Sequence, residues 1–150
     1  MNFLTRKNSD YAFYLNTTPS AQSPTFSPLA AGIRSVGAEL NENVHNAAYL
    51  SDDGWGSSDV TGAQLALTFH GDRVTPDAAQ DYIFSPGVMY GLGAARRTTF
   101  KIEDPAGNTL SGSCTLAEIV CDGGDADEPG EITVEIRFNG KPLFTPAASV

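Results

Sequence analysis

The sequence predicts a single, mainly antiparallel β domain flanked by one α-helix. Apolar and polar residues alternate through several short segments, which is typical of strands with one buried face. The 15 glycines and 9 prolines favour turns over long helices. A chain of 150 residues has the length of one ordinary domain and can bury a core without disulfide support. Residues 1–150 are therefore expected to fold as one domain.

The first third of the chain is predicted to hold two strands separated by an arm. Residues 11–15 are mostly large and apolar, which predicts a first strand. The prolines between residues 19 and 28 remove backbone donors, so residues 1–31 are interpreted as an N-terminal strand followed by an extended arm. Alternation from residue 36 to residue 40 predicts a second strand.

The middle third combines a long loop with the one predicted helix. Residues 42–61 are small, polar and rich in glycine, and they are interpreted as a long loop or hairpin tip. Strict alternation over residues 61–69 then predicts a strand. The helix is predicted at about residues 75–85, with Thr75 as its N-cap and Pro76 in its first turn.

The last third is predicted to consist of successive strands. Alternation indicates strands over residues 98–103 and 132–138. A longer strand over residues 110–121 changes parity, which indicates a bulge near Ala117. The dipeptide Asn139-Gly140 is a strong hairpin signal, so the last strand is expected to turn back after it.

Charge and hydropathy exclude several classes of protein. The net charge is -9, with 9 Lys and Arg against 18 Asp and Glu, which excludes a nucleic-acid binder that relies on phosphate contacts. No apolar run approaches the ~18 residues of a membrane-spanning helix. The N-terminus turns polar too early for a signal-peptide core, so synthesis and function in a cytosol-like compartment are expected.

No catalytic, metal-binding or cofactor-binding residue set is predicted, so the protein is not expected to be an enzyme. His70 has Asp72 nearby but no nucleophile to activate. The acidic stretch 122–131 lacks the ligand spacing of a calcium-binding helix–loop–helix and is interpreted as a solvated loop. Cys114 and Cys121 would lie roughly 23 Å apart on one strand, beyond disulfide reach, and are interpreted as buried free thiols.

The features that remain are those of a subunit that works by assembling. A stable β core with unprotected sheet edges offers templates for pairing with another copy. A proline-rich arm and a long polar loop that become ordered on contact suit the joining of neighbours.

Several strings of residues follow one another in a characteristic order. They are Asn2-Phe3-Leu4, Asp52-Asp53-Gly54, Phe69-His70-Gly71-Asp72-Arg73, residues 77–83, Gly112, Gly123-Gly124-Asp125-Ala126, residues 132–138 and Asn139-Gly140-Lys141-Pro142. In this order and spacing, over roughly residues 2–145, the chain resembles the tail tube (major tail) proteins of long non-contractile-tailed bacteriophages and related prophages.

The resemblance implies an antiparallel β-sandwich or barrel-like domain that forms hexameric rings. The rings would stack into the phage tail tube, the conduit for genome delivery. The implied location is the virion tail, assembled in the host bacterial cytoplasm. The implied partners are further copies of the chain, the tape measure, terminator and distal tail proteins, and DNA in transient, non-specific passage. No cofactor and no membrane are implied.

The resemblance also implies which segments meet a neighbouring ring or the channel. The ring-to-ring contact candidates belong to the long loop and the arm, namely Asp52, Asp53, Trp55, Pro24 and Phe26. The acidic lumen or loop candidates are Asp122, Asp125, Asp127 and Glu128. Residues 118–135 include seven acidic and no basic residues, which agrees with the acidic lumen of that family.

Two alternatives remain open at this point. The first is a head–tail connector or tail terminator that closes as a single ring and does not polymerise. The second is a calcium-dependent carbohydrate-binding β-sandwich that uses the 122–131 loop together with Trp55. Stabilisation by calcium would support the second alternative.

Overall fold

Ten strands and two short helices make up the described part of the protein, which in this computed structural model comprises residues 5–123 and 125–148. The strands are β1 (Ala12–Asn16), β2 (Phe26–Pro28), β3 (Ile33–Glu39), β4 (Asn43–Ala48), β5 (Gly56–Gly62), β6 (Ala66–Asp72), β7 (Arg97–Glu103), β8 (Thr109–Asp122), β9 (Glu131–Phe138) and β10 (Leu143–Thr145). The helices are α1 (Ala78–Ile83) and α2 (Pro86–Met89), with short 3-10 helices at Asn8–Asp10, Leu50–Asp52 and Gly93–Arg96. The mainly β prediction is confirmed.

Eight of the strands form one antiparallel sheet. Its order is β2-β1-β7-β8-β9-β6-β3, and β10 pairs with the beginning of β8. Strands β4 and β5 pair only with each other and form a hairpin between β3 and β6. The segment 42–61, interpreted from the sequence as a loop or hairpin tip, is therefore a two-stranded hairpin that leaves the sheet at one end.

The sheet curls until its two sides meet, which gives a sandwich-like domain. Phe13 on β1 and Phe69 on β6 are separated by three intervening strands in the sheet. Their ring centroids are nevertheless only 5.2 Å apart, in edge-to-face contact. Phe100 and Phe138 extend this cluster, and Phe69, Phe100 and Phe138 are at most 1% exposed. The alternation predicted from the sequence places these rings on the inner face.

The helical segment differs in its bounds from the predicted helix at 75–85. Helix α1 begins after Asp77, whose carboxylate accepts a hydrogen bond of 3.1 Å from the Gln80 backbone N–H. Asp77 is therefore the N-cap, because a side-chain acceptor must lie within reach of the free N–H groups of the first turn. Ser85 then precedes the second helix, α2, which the sequence analysis did not predict.

The buried side chain of Gln80 connects α1 to the loops beside it. Its Nε2 donates to the carbonyl oxygens of Ala31 and Asp72 at 2.8 and 3.2 Å. Its Oε1 accepts from the Val74 N–H at 3.0 Å and from Arg73 Nη1 at 3.3 Å. One fully buried amide thus satisfies four polar groups of the surrounding chain.

Gln80→Leu is expected to lower the free energy of unfolding by about 2–4 kcal/mol, because it leaves several buried backbone groups without partners. Chemical denaturation followed by circular dichroism measures the change. The matched control is Gln22→Leu, since Gln22 is exposed in the β1–β2 loop and its loss is expected to change stability by less than about 0.5 kcal/mol. Equal effects of the two variants would contradict this role of Gln80.

Residues 16–31 lie against the domain, which corrects the expectation of an extended arm. The buried Asn16 side-chain oxygen accepts hydrogen bonds from the backbone N–H groups of Thr18 and Thr25 at 3.0 and 3.2 Å. The buried Thr98 hydroxyl donates to the Asn16 carbonyl oxygen at 2.6 Å. A buried amide needs such partners, so the proline-rich residues close a tight connection between β1 and β2.

The turn signal at Asn139-Gly140 does not produce a hairpin. Strands β9 and β10 both run antiparallel to β8 and lie along the same side of it, at successive positions. The chain therefore bends at Gly140, where φ is +84°, and continues in the same direction. The bulge predicted near Ala117 is confirmed, because the β8–β9 register shifts between Ala117 and Val120.

Candidate functional site

Four neighbouring strands, β8, β9, β6 and β3, form a segment of sheet with an unpaired edge on each side. Strand β7 pairs with β8 only as far as Thr115. The β7-facing side of residues 117–122 has no strand partner among the described residues. The outer side of β3 likewise pairs with no strand within residues 5–123 and 125–148. Alternation in the sequence indicates strands but not which of their edges stay unpaired.

The unpaired edge of β8 has an unusual backbone. Glu118 adopts a left-handed conformation with φ of +49° inside the bulge and is exposed. Such a conformation is uncommon for a residue other than glycine, and bulges of this kind redirect side chains at sheet edges. Val120, which follows on the same unpaired part of β8, is 40% exposed.

Arg96 orders the loop that borders this edge. Its guanidinium donates to the carbonyl oxygens of Met89, Gly91 and Leu116 at 2.5, 3.1 and 3.1 Å. The last of these carbonyls belongs to β8, so Arg96 attaches the loop to the strand where β7 stops pairing. Two apolar side chains of the loop point to solvent, Tyr90 at 77% exposure and Leu92 at 88%. A leucine set among Gly87, Gly91 and Gly93 is the sequence signal that could have indicated this surface.

An apolar groove of about 390 Å³ borders the opposite edge of the four-stranded segment, along the first half of β3. Its lining includes the half-buried Phe13, Ile33 and Val36, together with the buried Leu29 and Phe69. Arg34 is the one charged residue that the described chain contributes to the lining. The Arg34 guanidinium is 57% exposed and also lies 3.3 Å from carboxylate oxygens of Asp72 and Glu131.

The hairpin formed by β4 and β5 brings three of the ring-contact candidates together at its tip. The short 3-10 helix Leu50–Asp52 reverses the chain, with Asp53 in the left-handed region at φ of +54°. Leu50 is fully exposed and Trp55 is 77% exposed. The cross-strand pair Val44 and Val60 is also largely exposed, so no core of this chain covers the hairpin. An isolated two-stranded hairpin is marginal in water, which indicates a surface that becomes covered.

The other two ring-contact candidates lie elsewhere on the domain. Pro24 is exposed in the β1–β2 loop, and Phe26 begins β2 at the far side of the sheet order from β3. The Lys101 ammonium lies over the rings of Tyr14 and Phe26, at 4.9 and 4.8 Å from their centroids. The structure therefore does not join Pro24 and Phe26 to the hairpin tip.

The acidic candidates lie in the connection between β8 and β9. Asp125, Asp127 and Glu128 are exposed. The side chain of Asp122 and the whole of Gly124 lie outside the described residues, as does the Asn2-Phe3-Leu4 string. In the described chain no group of three or more His, Cys, Asp or Glu side chains is arranged to hold a metal ion.

The carbohydrate-site alternative required Trp55 to lie near the 122–131 loop. Trp55 lies at the opposite end of the sheet from that loop, so the structure does not bring together the two parts of this alternative.

The outer face of the four-stranded segment is polar and carries more acid than base. Alternation along β6 and β9 places hydroxyl groups such as Thr68 and Thr133 on this face, with the exposed His70 hydrogen-bonded to Thr133 at 3.0 Å. The charged residues of the face are Glu39, Asp72, Glu131 and Glu135 against Arg34 and Arg137. Repeated copies of this face would form an electronegative surface.

The two cysteines differ in exposure and therefore in reactivity. Both are free, with Cys114 buried in the core and Cys121 exposed on β8. Burial raises the pKa of the Cys114 thiol to about 12. The expectation that both thiols are buried is thus wrong for Cys121, which lies on the part of β8 beyond Thr115, where β7 no longer pairs with the strand.

In the unassembled protein, a thiol reagent at pH 8 is expected to modify one cysteine per chain quickly. A pKa near 12 leaves roughly one Cys114 in 10⁴ as thiolate at this pH, and the thiolate is the nucleophile. Counting modified thiols by mass spectrometry measures the result. Cys121→Ser serves as the control and is expected to react only on unfolding, whereas fast labelling of that variant would contradict the assignment.

No helix in the described part of the chain is both long enough and apolar enough to cross a membrane. The candidate functional features described above are all surfaces: two sheet edges, an apolar groove, an exposed hairpin and an electronegative face.

Comparison with known proteins finds similarity at the level of the fold. No protein-family model and no curated protein matches the chain. A chain in the tail of an empty gene transfer agent particle, solved with C6 symmetry, has a TM-score of 0.70 and 19% identity, over 94% of this chain and 99% of that chain. A chain in the virion of the native gene transfer agent has a TM-score of 0.68 and 17% identity over the same shares.

A third similar structure comes from a contractile injection machine. It is a chain in the sheath–tube complex, in its extended state, of an extracellular contractile injection system named PVC. The TM-score is 0.57 and the identity 10%, over 94% of this chain and 91% of that chain. The protein therefore shares its fold with components of the tail of a gene transfer agent and of a contractile injection system.

Proposed function

We propose that the protein is a tail tube subunit of a phage-like particle, a structural protein and not an enzyme. Copies join side by side into a ring, and rings stack into the conduit through which the genome is delivered. The observation that carries this proposal is the four-stranded segment with an unpaired edge on each side. The fold shared with the C6-symmetric tail of a gene transfer agent supports six copies per ring.

The two edges are suited to pairing with each other. Successive strands of the segment are antiparallel, so β8 and β3, at its first and fourth positions, run in opposite directions. When the β8 edge of one copy lies beside the β3 edge of the next, the antiparallel alternation continues across the joint. A contact between two different surfaces of identical chains is head-to-tail, and it closes into a ring when the rotation allows.

The electronegative outer face supports a channel for DNA. A channel lined with carboxylates repels phosphates and keeps the passing polyanion from binding. Ring formation would repeat this face around a central axis, with Asp125, Asp127 and Glu128 at one end of the sheet, near Glu131. We assign these residues, with Asp122, to the rim of the lumen.

The hairpin supports stacking of the rings. It leaves the sheet at the end where β3 stops and β6 begins, so it extends along the strands toward a neighbouring ring. Asp52, Asp53 and Trp55 at its tip would contact that ring, and Pro24 and Phe26 would contribute a second contact area. Such contacts repeat around the ring, so individually modest contacts give a stable tube.

This function places the protein in the virion tail, after assembly in the host bacterial cytoplasm. A tube of fixed length needs a partner inside its channel and partners at its two ends. The proposed partner proteins are the tape measure, terminator and distal tail proteins. DNA is in transient contact only.

Negative-stain electron microscopy of the purified protein over a concentration series, with light scattering alongside, tests the proposal. Stacked rings or tubes of uniform width are expected. Closed rings that never stack would indicate the connector or terminator alternative instead. A monomer at high concentration would overturn the proposal.

Proline substitutions on the β3 edge test the ring joint. Along an edge strand, successive N–H groups point in turn toward the neighbouring strand of the same sheet and toward the free edge. Gly37 and Ala38 are adjacent in β3, so one of the variants Gly37→Pro and Ala38→Pro removes an N–H group that points to the free edge. The other removes an N–H group that points to β6. The variant that keeps its melting temperature is expected to remain monomeric, because its edge can no longer pair with a neighbour. The destabilised variant is the matched control, and rings from the stable variant would contradict the joint.

A further inference from the structure

The proposed ring leaves open what gives the joint between copies its specificity, since backbone pairing alone does not select one register. Tyr90 and Leu92 border one edge, and the apolar groove borders the other. We propose that Leu92, with Tyr90 beside it, inserts into the β3-side groove of the next copy in the same ring. This inference rests on the proposed function.

The two features lie at the same level of the sheet. Pairing places Val120 and Cys121 of β8 in line with Ser35 and Ile33 of β3, across β9 and β6. The groove lies along residues 33–36 of β3. The loop before β7 borders β8 where β7 stops pairing at Thr115, because Arg96 donates to the Leu116 carbonyl oxygen at 3.1 Å. From there the loop lies at the start of the unpaired stretch 117–122. Edge pairing therefore brings the loop of one copy opposite the groove of the other.

The loop is held in shape before it meets a partner. Two of the three hydrogen bonds of Arg96 fix the carbonyls on either side of Tyr90, and Gly91 packs against the chain at Gly87 and Ala95 with no room for a Cβ. A preordered loop loses little conformational entropy on binding. Leu92, at 88% exposure, thus has the properties of an interface anchor on a rigid support.

The groove carries one cation, which already lies 3.3 Å from two carboxylates of its own chain, Asp72 and Glu131, and the opposite edge carries an exposed carboxylate that could join them. Arg34 is the one charged side chain lining the groove in the described structure. The β8 edge presents the exposed Glu118 and belongs to the stretch 118–135, which has seven acidic and no basic residues. Pairing the edges brings Glu118 within about two residues of the level of Arg34. A charge pair at this joint would favour head-to-tail contact over contact between two identical edges.

Cross-linking tests the contact directly. In a Cys121→Ser background, Leu92→Cys combined with Ala30→Cys, an exposed groove residue, is expected to give an inter-chain disulfide ladder on oxidation. The control pair is Leu143→Cys with Ala30→Cys, since Leu143 is 66% exposed but lies on β10. Cross-linking of the control to the same extent would overturn the inference.

A second measurement separates this inference from the proposed function. Leu92→Asp is expected to raise the protein concentration at which ring formation is half-maximal by about 25-fold or more. Removal of an interface anchor weakens binding by this factor. Leu143→Asp is the matched control and is expected to leave it unchanged. Rings of Leu92→Asp at the wild-type concentration would overturn the groove contact while the tail tube function stands. Absence of rings from the wild-type protein would overturn both.

Discussion

Removing the two apolar side chains at the hairpin tip, by Leu50→Ala with Trp55→Ala, is expected to abolish stacking of rings and leave single rings intact. Both side chains are exposed in the single chain and contribute no packing to its core. Surface changes of this kind alter stability by less than about 0.5 kcal/mol, so the melting temperature is expected to stay the same. A buried tryptophan at an interface commonly contributes about 2 kcal/mol or more.

The measurement is electron microscopy beside sedimentation, which separates free rings from tubes. The matched control removes an equally exposed apolar pair elsewhere, by Leu143→Ala with Phe144→Ala on β10, at 66% and 60% exposure. That control is expected to form normal tubes. Tubes of normal length from the hairpin variant would show that stacking does not depend on the tip.

Phe100→Ala is expected to lower the free energy of unfolding by about 3–5 kcal/mol. Phe100 is fully buried, and its ring lies 6.4, 5.8 and 6.2 Å from the rings of Phe13, Phe69 and Phe138. These rings come from strands on both sides of the curled sheet, so the cavity would open where the two sides meet. A loss of this size is a large fraction of the 5–15 kcal/mol typical of a domain.

Chemical denaturation with linear extrapolation measures this loss. Phe100→Leu is expected to lose less, because it retains part of the buried volume. Phe144→Ala, which removes the same side chain from an exposed position, is expected to change stability by less than about 0.5 kcal/mol. A loss below about 1 kcal/mol for Phe100→Ala would contradict the central place of this ring in the core.

The ring joint that we propose would depend on this core, although the core residues do not lie at the sheet edges. The curl of the sheet places β3 beside β1 and creates the groove between them. A weakened phenylalanine cluster is therefore expected to impair ring formation together with stability. The hairpin variant separates the two effects, because its change lies outside the core.

Strands β7, β8 and β9 and the inner face of the sheet were predictable because they depend on local alternation, whereas the single strand predicted over residues 61–69 is in fact the end of β5 and the start of β6. Residues 132–138 alternate without exception, and the structure buries Ile132, Val134, Ile136 and Phe138. The bulge near Ala117 was predictable for the same reason, since one inserted residue reverses the parity of those that follow. The helix N-cap was wrong because Thr75 and Asp77 are both good caps, and only the packed geometry selected Asp77.

The candidate surfaces were only partly predictable. The exposed hairpin tip with Asp52, Asp53 and Trp55 was visible as a polar, glycine-rich excursion, and the acidic loop was visible from its charge. The role of Arg96 was not visible, because two of its acceptors are carbonyls of an irregular loop and the third, Leu116, lies 20 residues away along the chain. The same holds for Gln80, which from sequence is an ordinary helix residue.

The sequence by itself determined the class of the domain, the sign of its charge and the faces of its strands, since composition and period-two alternation are local properties of the chain. Tertiary structure decided which strands became neighbours. Asn139-Gly140 reads locally as a hairpin, yet β10 continues along β8 because that position completes the pairing of a longer strand. The unpaired edges of β3 and β8 follow from the same non-local pairing, and the proposed ring joint rests on those two edges.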